Sequence, residues 1–192
     1  TGTVINDSRI TYINNPAVEV ATKKNVPKEN LILCVSRLAQ EKCIDKMVRM
    51  WSELASQLPE WRFIIVGDGP ERGKLEAMVG NKNVPRVEFT GFADPTDYYR
   101  RAKIFWMTSK YEGWGMTLIE AMQQGCVPVA FKTFSSIIDI IDDGKNGYLV
   151  APEDMHRFKD RSFLLANDGA LRSEFAETAK KKVEEFALSH II

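Results

Sequence analysis

The stretch YEGWGMTLIEAM at residues 111–122 contains two glutamates that are separated by seven residues, an E-x7-E spacing. Glu112 precedes Gly113 and Gly115, and Glu120 lies in the apolar run behind them. A helix that begins near Gly115 would direct its free backbone N–H groups toward a ligand, and such groups favour anions. Each carboxylate could accept hydrogen bonds from a different cluster of ligand hydroxyls. Alternatively, Glu112 is a solvated loop acid and Glu120 pairs with a helix cation.

Two cations follow an earlier apolar run, in the segment SRLAQEK. Arg37 and Lys42 lie around the predicted start of a long helix, where backbone N–H groups also attract anions. Arginine supplies a planar fork of donors and lysine a mobile point charge, and together they suit a diphosphate. On spacing alone, the commoner explanation is a pair of surface cations, with Lys42 paired to a nearby acid.

The turn GDGP contains two more glycines that could serve a ligand. Gly67 and Gly69 allow a tight turn through which a backbone can approach a ligand closely, although a plain strand-to-helix turn explains them equally well. Neither GxGxxG nor GxxxxGK[ST] follows a predicted strand. The sequence therefore gives little support to a nicotinamide-binding or P-loop protein.

The cysteines and histidines do not form a metal-binding pattern. Cys34, Cys43 and Cys126 are isolated, and only His156 and His190 could join them. A structural zinc site is therefore not expected, and unpaired cysteines favour a reducing intracellular compartment. Cys34 and Cys126 adjoin apolar runs, where a small buried thiol is the expected state.

Composition narrows the possible partners. The chain has 192 residues, of which 44% are hydrophobic, enough for one well-packed core. The 26 basic and 26 acidic side chains cancel, which disfavours nucleic acid or anionic lipid as the main partner. No run approaches the ~18 apolar residues of a membrane span. The first residues, TGTVINDSRI, are too polar for a signal peptide.

Six short runs have the length of strands; they are largely apolar instead of alternating, and the last of them is weaker. They lie at residues 31–35, 62–67, 86–91, 104–107, 127–131 and 147–151. Continuous apolarity predicts strands buried on both faces, as in a parallel sheet. The predicted fold class is therefore α/β, an open parallel sheet flanked by helices, with ligands at the carboxyl ends of the strands. The order of the strands in the sheet is not readable.

Helical patterns separate the strands. Apolar residues at spacings of three and four predict a helix from Ile44 to Leu58, ended by Pro59. Shorter helices are expected at residues 71–79, 96–101 and 115–125, and two surface helices at 153–187, broken near Asn167, Asp168 and Gly169. The polar, proline-punctuated residues 1–30 predict a lead-in or hinge segment.

Five motifs in a fixed order carry a resemblance to a family. SRLAQEK, VGDGP, VEFTGF, YEGWGMTLIEAMQQGCVPV and IIDDGKNGYLV resemble the C-terminal, donor-binding domain of the retaining family 4 (group 1) glycosyltransferases of GT-B fold. YINNPAVE resembles the hinge-proximal segment of that domain. The resemblance implies a Rossmann-like, nucleotide-sugar-binding domain at residues 31–192, one half of a GT-B architecture. The N-terminal acceptor domain of the family has no counterpart in this sequence.

The resemblance implies catalytic roles for three residues. Arg37 and Lys42 would bind the donor diphosphate and stabilise the negative charge that develops on the leaving nucleotide. Glu112 would contact hydroxyls of the transferred sugar. Because fixed cations and a helix N-terminus would stabilise that charge, neither a divalent metal nor a cofactor is expected, and the sequence has no DxD motif.

The remaining matched positions imply contacts with the nucleotide. Glu120 would hold the ribose hydroxyls through its two carboxylate oxygens, and Phe92 and Ala93 would lie beside the nucleobase. Backbone N–H groups of one short segment would meet the sugar and phosphates, namely those of Gly113, Trp114, Gly115, Met116 and Thr117. The donor would be a UDP- or GDP-linked sugar.

Some positions depart from the family pattern. Ser36 and Cys43 stand where the family has glycines around the Arg and Lys, so their side chains could narrow the phosphate loop. The common GGxPE run appears as SSIID, with Ser135 and Ser136 at the glycine positions and Asp139 at the glutamate. Both glutamates, the arginine and the lysine are retained.

Taken with the resemblance, the sequence predicts a glycosyltransferase donor domain for retaining transfer of a hexose to a saccharide or lipid-linked acceptor, in polysaccharide or lipopolysaccharide biosynthesis. The location expected is the cytoplasm, at the inner membrane surface in the full-length protein. By itself the chain is expected to bind nucleotide but to transfer sugar poorly or not at all.

Two alternatives from other classes remain weaker. One is a non-catalytic α/β nucleotide-binding or protein-interaction module, such as a receiver, but LILCVSRL lacks the clustered acids that a receiver needs. The other is a sugar-nucleotide epimerase, which would carry cleft histidines. His156 and His190 lie outside every predicted strand-end loop.

Overall fold

A single parallel sheet of six strands organises the computed structural model, which describes residues 26–186. The strands are β1 (Leu31–Val35), β2 (Arg62–Val66), β3 (Val87–Gly91), β4 (Ile104–Met107), β5 (Val127–Phe131) and β6 (Tyr148–Val150). Their order across the sheet is β3-β2-β1-β4-β5-β6, and every neighbouring pair is parallel. The predicted α/β class and the six predicted strands are confirmed. The order of the strands could not be read from the sequence.

Helices cover both faces of this sheet. They are α1 (Ile44–Leu54), α2 (Arg72–Asn81), α3 (Thr96–Arg101), α4 (Met116–Gln123), α5 (Ile137–Ile140), α6 (Met155–Asn167) and α7 (Gly169–Glu184). The prediction for α3 matches at both ends, whereas α1 stops at Leu54 instead of Leu58. The short helix α5 was not predicted. Within the described part of the chain, no helix is long and apolar enough to cross a membrane.

Burial on both faces explains why the central strands are continuously apolar, whereas the edge strand β3 (VEFTG) carries an exposed Glu88. In β1, Ile32 and Cys34 pack into the core layer beneath α1 and α6, while Leu31 and Leu33 pack into the layer beneath α3, α4 and α7. None of these four side chains is more than 1% exposed. Successive residues of a strand point to opposite faces, so a strand covered on both sides has no position for a polar residue.

The strand order creates a crevice at one place in the sheet. From β1 the strands β2 and β3 continue toward one edge of the sheet, whereas β4, β5 and β6 continue toward the other edge. The helix α1, which follows β1, therefore covers one face, and α4, which follows β4, covers the other. In open α/β sheets, ligands bind outside the carboxyl ends of strands at such a reversal. The loops that follow β1 and β4 meet there, and they carry the residues that the sequence singled out.

The turn after β2 supports the loop after β1. The Leu38 N–H donates to the Asp68 carbonyl oxygen at 2.9 Å. A Cβ atom added at Gly67 would lie 2.0 Å from the carbonyl oxygen of Ser36, and one at Gly69 would lie 2.4 Å from that of Leu38. The two glycines of GDGP therefore allow one loop backbone to approach another, which is the structural explanation that the sequence left open beside ligand contact.

The described end of the lead-in segment is attached to the sheet. Lys28 donates its ammonium hydrogens to backbone carbonyl oxygens at the end of α3, and Arg101 Nε donates to Glu29 Oε1 at 2.6 Å. The predicted boundary between a lead-in segment at 1–30 and the domain stays a prediction. Most of that segment, including YINNPAVE, lies outside the described residues.

The contact between Gly67 and Ser36 yields a stability prediction. An alanine at Gly67 would place its Cβ inside the van der Waals radius of a backbone oxygen, at a φ of +135° that side chains rarely adopt. We expect Gly67→Ala to lower the free energy of unfolding by about 2–4 kcal/mol, measured by urea denaturation.

Gly73 in α2 is the matched control, because a Cβ atom added there would have no other atom within 4 Å. Gly73→Ala should raise the free energy of unfolding by about 0.5–1 kcal/mol, since alanine is the better helix former. Equal stability of the two variants would contradict the proposed close approach of the two loops.

Candidate functional site

The loop after β1 turns sharply before α1 begins. Residues Gln40–Lys42 form a 3-10 turn, and Cys43 follows in the left-handed conformation, with φ 52° and ψ 39°. This conformation costs a residue with a side chain roughly 1–2 kcal/mol, which explains why a glycine suits this position. The Cys43 thiol is buried and lies 3.5 Å from the Gln40 carbonyl oxygen, so it packs back against the turn.

An ion pair joins the loops that follow β1 and β4. Lys42 Nζ lies 2.7 Å from Glu112 Oε1, and the two side chains are 18% and 17% exposed. The sequence allowed Lys42 to pair with a nearby acid, and that acid is the glutamate assigned to the sugar. Because the pair is largely shielded from water, its attraction is screened less than that of a surface pair.

Arg37 does not take part in this contact. Its side chain is exposed, and within residues 26–186 its guanidinium has no hydrogen-bond or ion-pair partner. The structure therefore brings together Lys42 and Glu112 but leaves Arg37 on the same loop with its donors available.

Thr108 fixes the two loops to one another, and the sequence reasoning missed it. Its buried hydroxyl lies 3.0 Å from the carbonyl oxygens of both Lys42 and Cys43. Beside it, the Lys110 N–H donates to the Glu41 carbonyl oxygen at 2.8 Å. The only signal in the sequence was a hydroxyl residue placed directly after an apolar strand.

The start of α4 faces the same crevice. Gly115 precedes the helix with φ +85°, and a Cβ atom there would lie 3.2 Å from the Phe134 ring, so this position favours glycine. Gly113 has no such constraint. The backbone N–H groups of Met116 and Thr117 have no acceptor in the described part of the chain. Free N–H groups at a helix start bind anions, as the sequence analysis expected for this segment.

Trp114 contributes its backbone to this segment and its ring to the core. The indole packs edge-on against Phe186 after α7, with ring centroids 5.9 Å apart and planes at 88°. The side chain is half-buried, and its Nε1 has no acceptor among the residues described. The ring thus connects the N-terminus of α4 to the end of α7 by direct packing.

Glu120 is held by a tyrosine that the sequence did not single out. Tyr99 Oη in α3 donates to Glu120 Oε2 at 2.9 Å. Burial raises the pKa of Tyr99 above its ordinary value, and the Glu120 carboxylate raises it further, so the phenol remains a donor. Oε1 of Glu120 has no donor within residues 26–186. One of the two oxygens predicted for the ribose therefore already accepts a hydrogen bond from the protein.

The residues predicted to flank the nucleobase lie directly after β3. Phe92 is 96% exposed, and Ala93 is half-buried against the core layer of α3 and α4. An aromatic ring that is exposed almost completely offers a flat apolar face for stacking. The base-flanking role of both residues stays a prediction.

The SSIID segment forms the unpredicted helix α5. Ser136 is buried beside its start and lies within 3.5 Å of the Gly113 carbonyl oxygen, whereas Ser135 and Asp139 are exposed. With Trp114 and Lys182, these residues line an open cavity of about 700 Å³. The segment therefore borders the start of α4 without closing over it.

Comparison with known proteins identifies relatives along most of the chain. Residues 19–182 match the sequence profile of the family described as glycosyl transferases group 1. An α-1,4-N-acetylgalactosaminyltransferase of Campylobacter jejuni, which acts on an undecaprenol-linked GalNAc saccharide, is 29% identical over 95% of this chain and 52% of that protein. A poly(ribitol-phosphate) α-N-acetylglucosaminyltransferase of Staphylococcus aureus is 30% identical over 84% of this chain and 34% of that protein.

Solved structures share the fold. A mutant of TarM from S. aureus, in complex with fondaparinux, α-GlcNAc-glycerol and UDP, superposes with a TM-score of 0.87 at 28% identity, over 97% of this chain and 38% of that one. The pneumococcal O-GlcNAc transferase GtfA, in complex with UDP and GlcNAc, gives 0.81 at 25% identity, over 93% of this chain and 36% of that one. The chain thus spans about half or less of the length of each of these proteins.

The cysteines give a prediction about reactivity. Burial raises the pKa of Cys34 to about 12, and it also raises the pKa values of Cys43 and Cys126. The thiolate fraction of Cys34 at pH 8 is then of the order of 10⁻⁴. We expect iodoacetamide to leave all three thiols of the native protein unlabelled at pH 8, measured by mass spectrometry.

The same reaction in concentrated guanidinium chloride is the control and should label all three. Because the unfolded thiols ionise near their ordinary pKa and the folded ones do not, stability should also fall as the pH rises above about 8.5. Rapid labelling of native Cys34 would contradict its burial.

Proposed function

Because the chain belongs to the group 1 glycosyltransferases, we propose that it forms the donor half of such an enzyme and binds a nucleotide-diphosphate sugar in the crevice between β1 and β4. The observation that carries the proposal is the meeting of Lys42 with Glu112 beside the free N–H groups at the start of α4. Cations and a helix N-terminus receive the diphosphate, and carboxylates receive the hydroxyls of the two sugars.

The charges at the crevice suit the departure of a nucleotide. Cleavage of a glycosyl-phosphate bond leaves an oxocarbenium-like sugar and an anionic diphosphate. Lys42 and Arg37, together with the Met116 and Thr117 N–H groups, would stabilise the anion from fixed positions. Each charge-assisted hydrogen bond would contribute ~1.5–3 kcal/mol. Since Lys42 is paired with Glu112 in the free protein, the diphosphate would compete with that carboxylate for the ammonium group.

The relatives support a choice of donor and of stereochemistry. UDP is bound in the solved TarM and GtfA structures, and the names of the relatives specify α-linked products. We therefore favour a UDP-linked hexose, transferred with retention to a saccharide or lipid-linked acceptor. The acceptor would be held mainly by the N-terminal half of the full-length protein. The reaction would take place in the cytoplasm, where nucleotide sugars are made and unpaired thiols persist.

The proposed reaction needs no metal ion. Protein cations and the start of α4 occupy the role that a divalent cation would otherwise fill beside the diphosphate. EDTA should therefore leave nucleotide affinity and sugar transfer unchanged.

Nucleotide binding to the 192-residue chain tests the site, with calorimetry against UDP, GDP and ADP in the presence of EDTA. We expect Lys42→Ala and Glu120→Ala each to weaken binding of the preferred nucleotide by about tenfold or more, because each removes a charge-assisted hydrogen bond. Lys74→Ala and Glu177→Ala are matched controls, since both residues form surface pairs on other helices. Unchanged affinity in both Lys42→Ala and Glu120→Ala would contradict the assignment of these residues to the nucleotide site.

Glu112 should affect transfer more than nucleotide binding. In the full-length enzyme, Glu112→Gln keeps the shape of the side chain but removes the charge that pairs with Lys42. We expect kcat to fall by about 10²-fold or more, while UDP affinity stays equal or increases because Lys42 is released. Glu71→Gln serves as the control on a neighbouring loop. Full turnover by Glu112→Gln would exclude Glu112 from the mechanism.

A further inference from the structure

Tyr99 is one of the most firmly held side chains near the crevice. It is 1% exposed, and its ring centroid lies 6.0 Å from that of Phe105 on β4. Its backbone carbonyl oxygen accepts hydrogen bonds from Lys28 Nζ at 3.0 Å and from Cys126 Sγ at 3.1 Å. The backbone of Tyr99 is therefore fixed by Lys28 and Cys126, and its ring is fixed by packing in the core.

The Tyr99 hydroxyl is directed at a single acceptor. Oη lies 2.9 Å from Glu120 Oε2, and this bond links α3 to α4 across 21 residues of sequence. Glutamate has three rotatable side-chain bonds, so ordering it on ligand binding costs free energy. A hydrogen bond that already holds one carboxylate oxygen in the free protein lowers this cost.

We propose that Tyr99 is a positioning residue of the nucleotide subsite, which fixes the Glu120 carboxylate so that Oε1 accepts from the ribose hydroxyls. This inference rests on the proposed function and deepens it. Glu120 contacts the nucleotide, and Tyr99 acts only through Glu120. The contribution of Tyr99 must therefore depend on the ribose hydroxyls and must be absent for a ligand that lacks them.

The dependence on ribose separates this role from a purely structural one. A tyrosine that merely filled the core would, on mutation, loosen the whole crevice and weaken every ligand. Tyr99→Phe keeps the ring that packs against Phe105 and removes only the hydroxyl, so the core should remain intact. Tyr98 on the same helix is the matched control, because its ring is half-buried and contacts Arg101 instead of Glu120.

The experiment measures calorimetric affinities of the 192-residue chain for UDP, 2′,3′-dideoxy-UDP and pyrophosphate. We expect Tyr99→Phe to weaken UDP binding by about tenfold, because the variant must order the Glu120 side chain when the ribose binds, with pyrophosphate and dideoxy-UDP unchanged. Tyr98→Phe should match the wild type for all three ligands. In a Glu120→Ala background, Tyr99→Phe should have no further effect on UDP affinity.

Two results would overturn the inference while leaving the proposed function in place. One is UDP affinity of Tyr99→Phe equal to that of a wild type that binds UDP. The other is an equal loss of UDP and pyrophosphate affinity, which would assign Tyr99 a structural role. If the wild type bound none of UDP, GDP and ADP, the proposed function would fail and this inference with it. Thermal unfolding of each variant confirms that it is folded.

Discussion

The backbone of the loop after β1 is held from both sides, and the arrangement of the crevice depends on these contacts. On one side the turn after β2 comes so close that only glycine fits at position 67, against the carbonyl oxygen of Ser36. On the other side the Thr108 hydroxyl, at the end of β4, lies 3.0 Å from the carbonyl oxygen of Lys42. Fixed in this way, the loop presents Lys42 to Glu112 at 2.7 Å.

The reversal of strand order explains why residues so distant in sequence meet. Arg37 and Lys42 follow β1, whereas Glu112 and Glu120 follow β4, and these strands are neighbours at the centre of the sheet. Each loop leads into a helix on a different face of the sheet, so the two segments diverge and leave a gap between them. Charges placed at such a gap face a ligand without having to be buried in the core.

Local patterns made the strands and most helices predictable, whereas contacts between elements were not. Continuous apolar runs identified the central strands because burial on both faces excludes polar residues there, whereas the edge strand β3 carries the exposed Glu88. The helix α5 has only four residues, too few for a periodic pattern. In the turn that follows α1, the carbonyl oxygens of Ala55 and Leu58 accept hydrogen bonds from Arg86, a contact that the spacing of apolar residues does not show. Spacing could suggest two acids and two cations, but the pairing of Lys42 with Glu112 and of Tyr99 with Glu120 arises from the tertiary fold.

The most direct test of the account is to map where UDP binds, from amide chemical shifts of the isotope-labelled chain during a UDP titration. We expect the largest changes at the β1/β4 crevice, at Lys42, Cys43, Met116 and Thr117. A competing location exists at the amino ends of the strands, where Trp61 and nearby residues line a cavity of about 560 Å³. Changes centred there, with the crevice unaffected, would contradict the central claim.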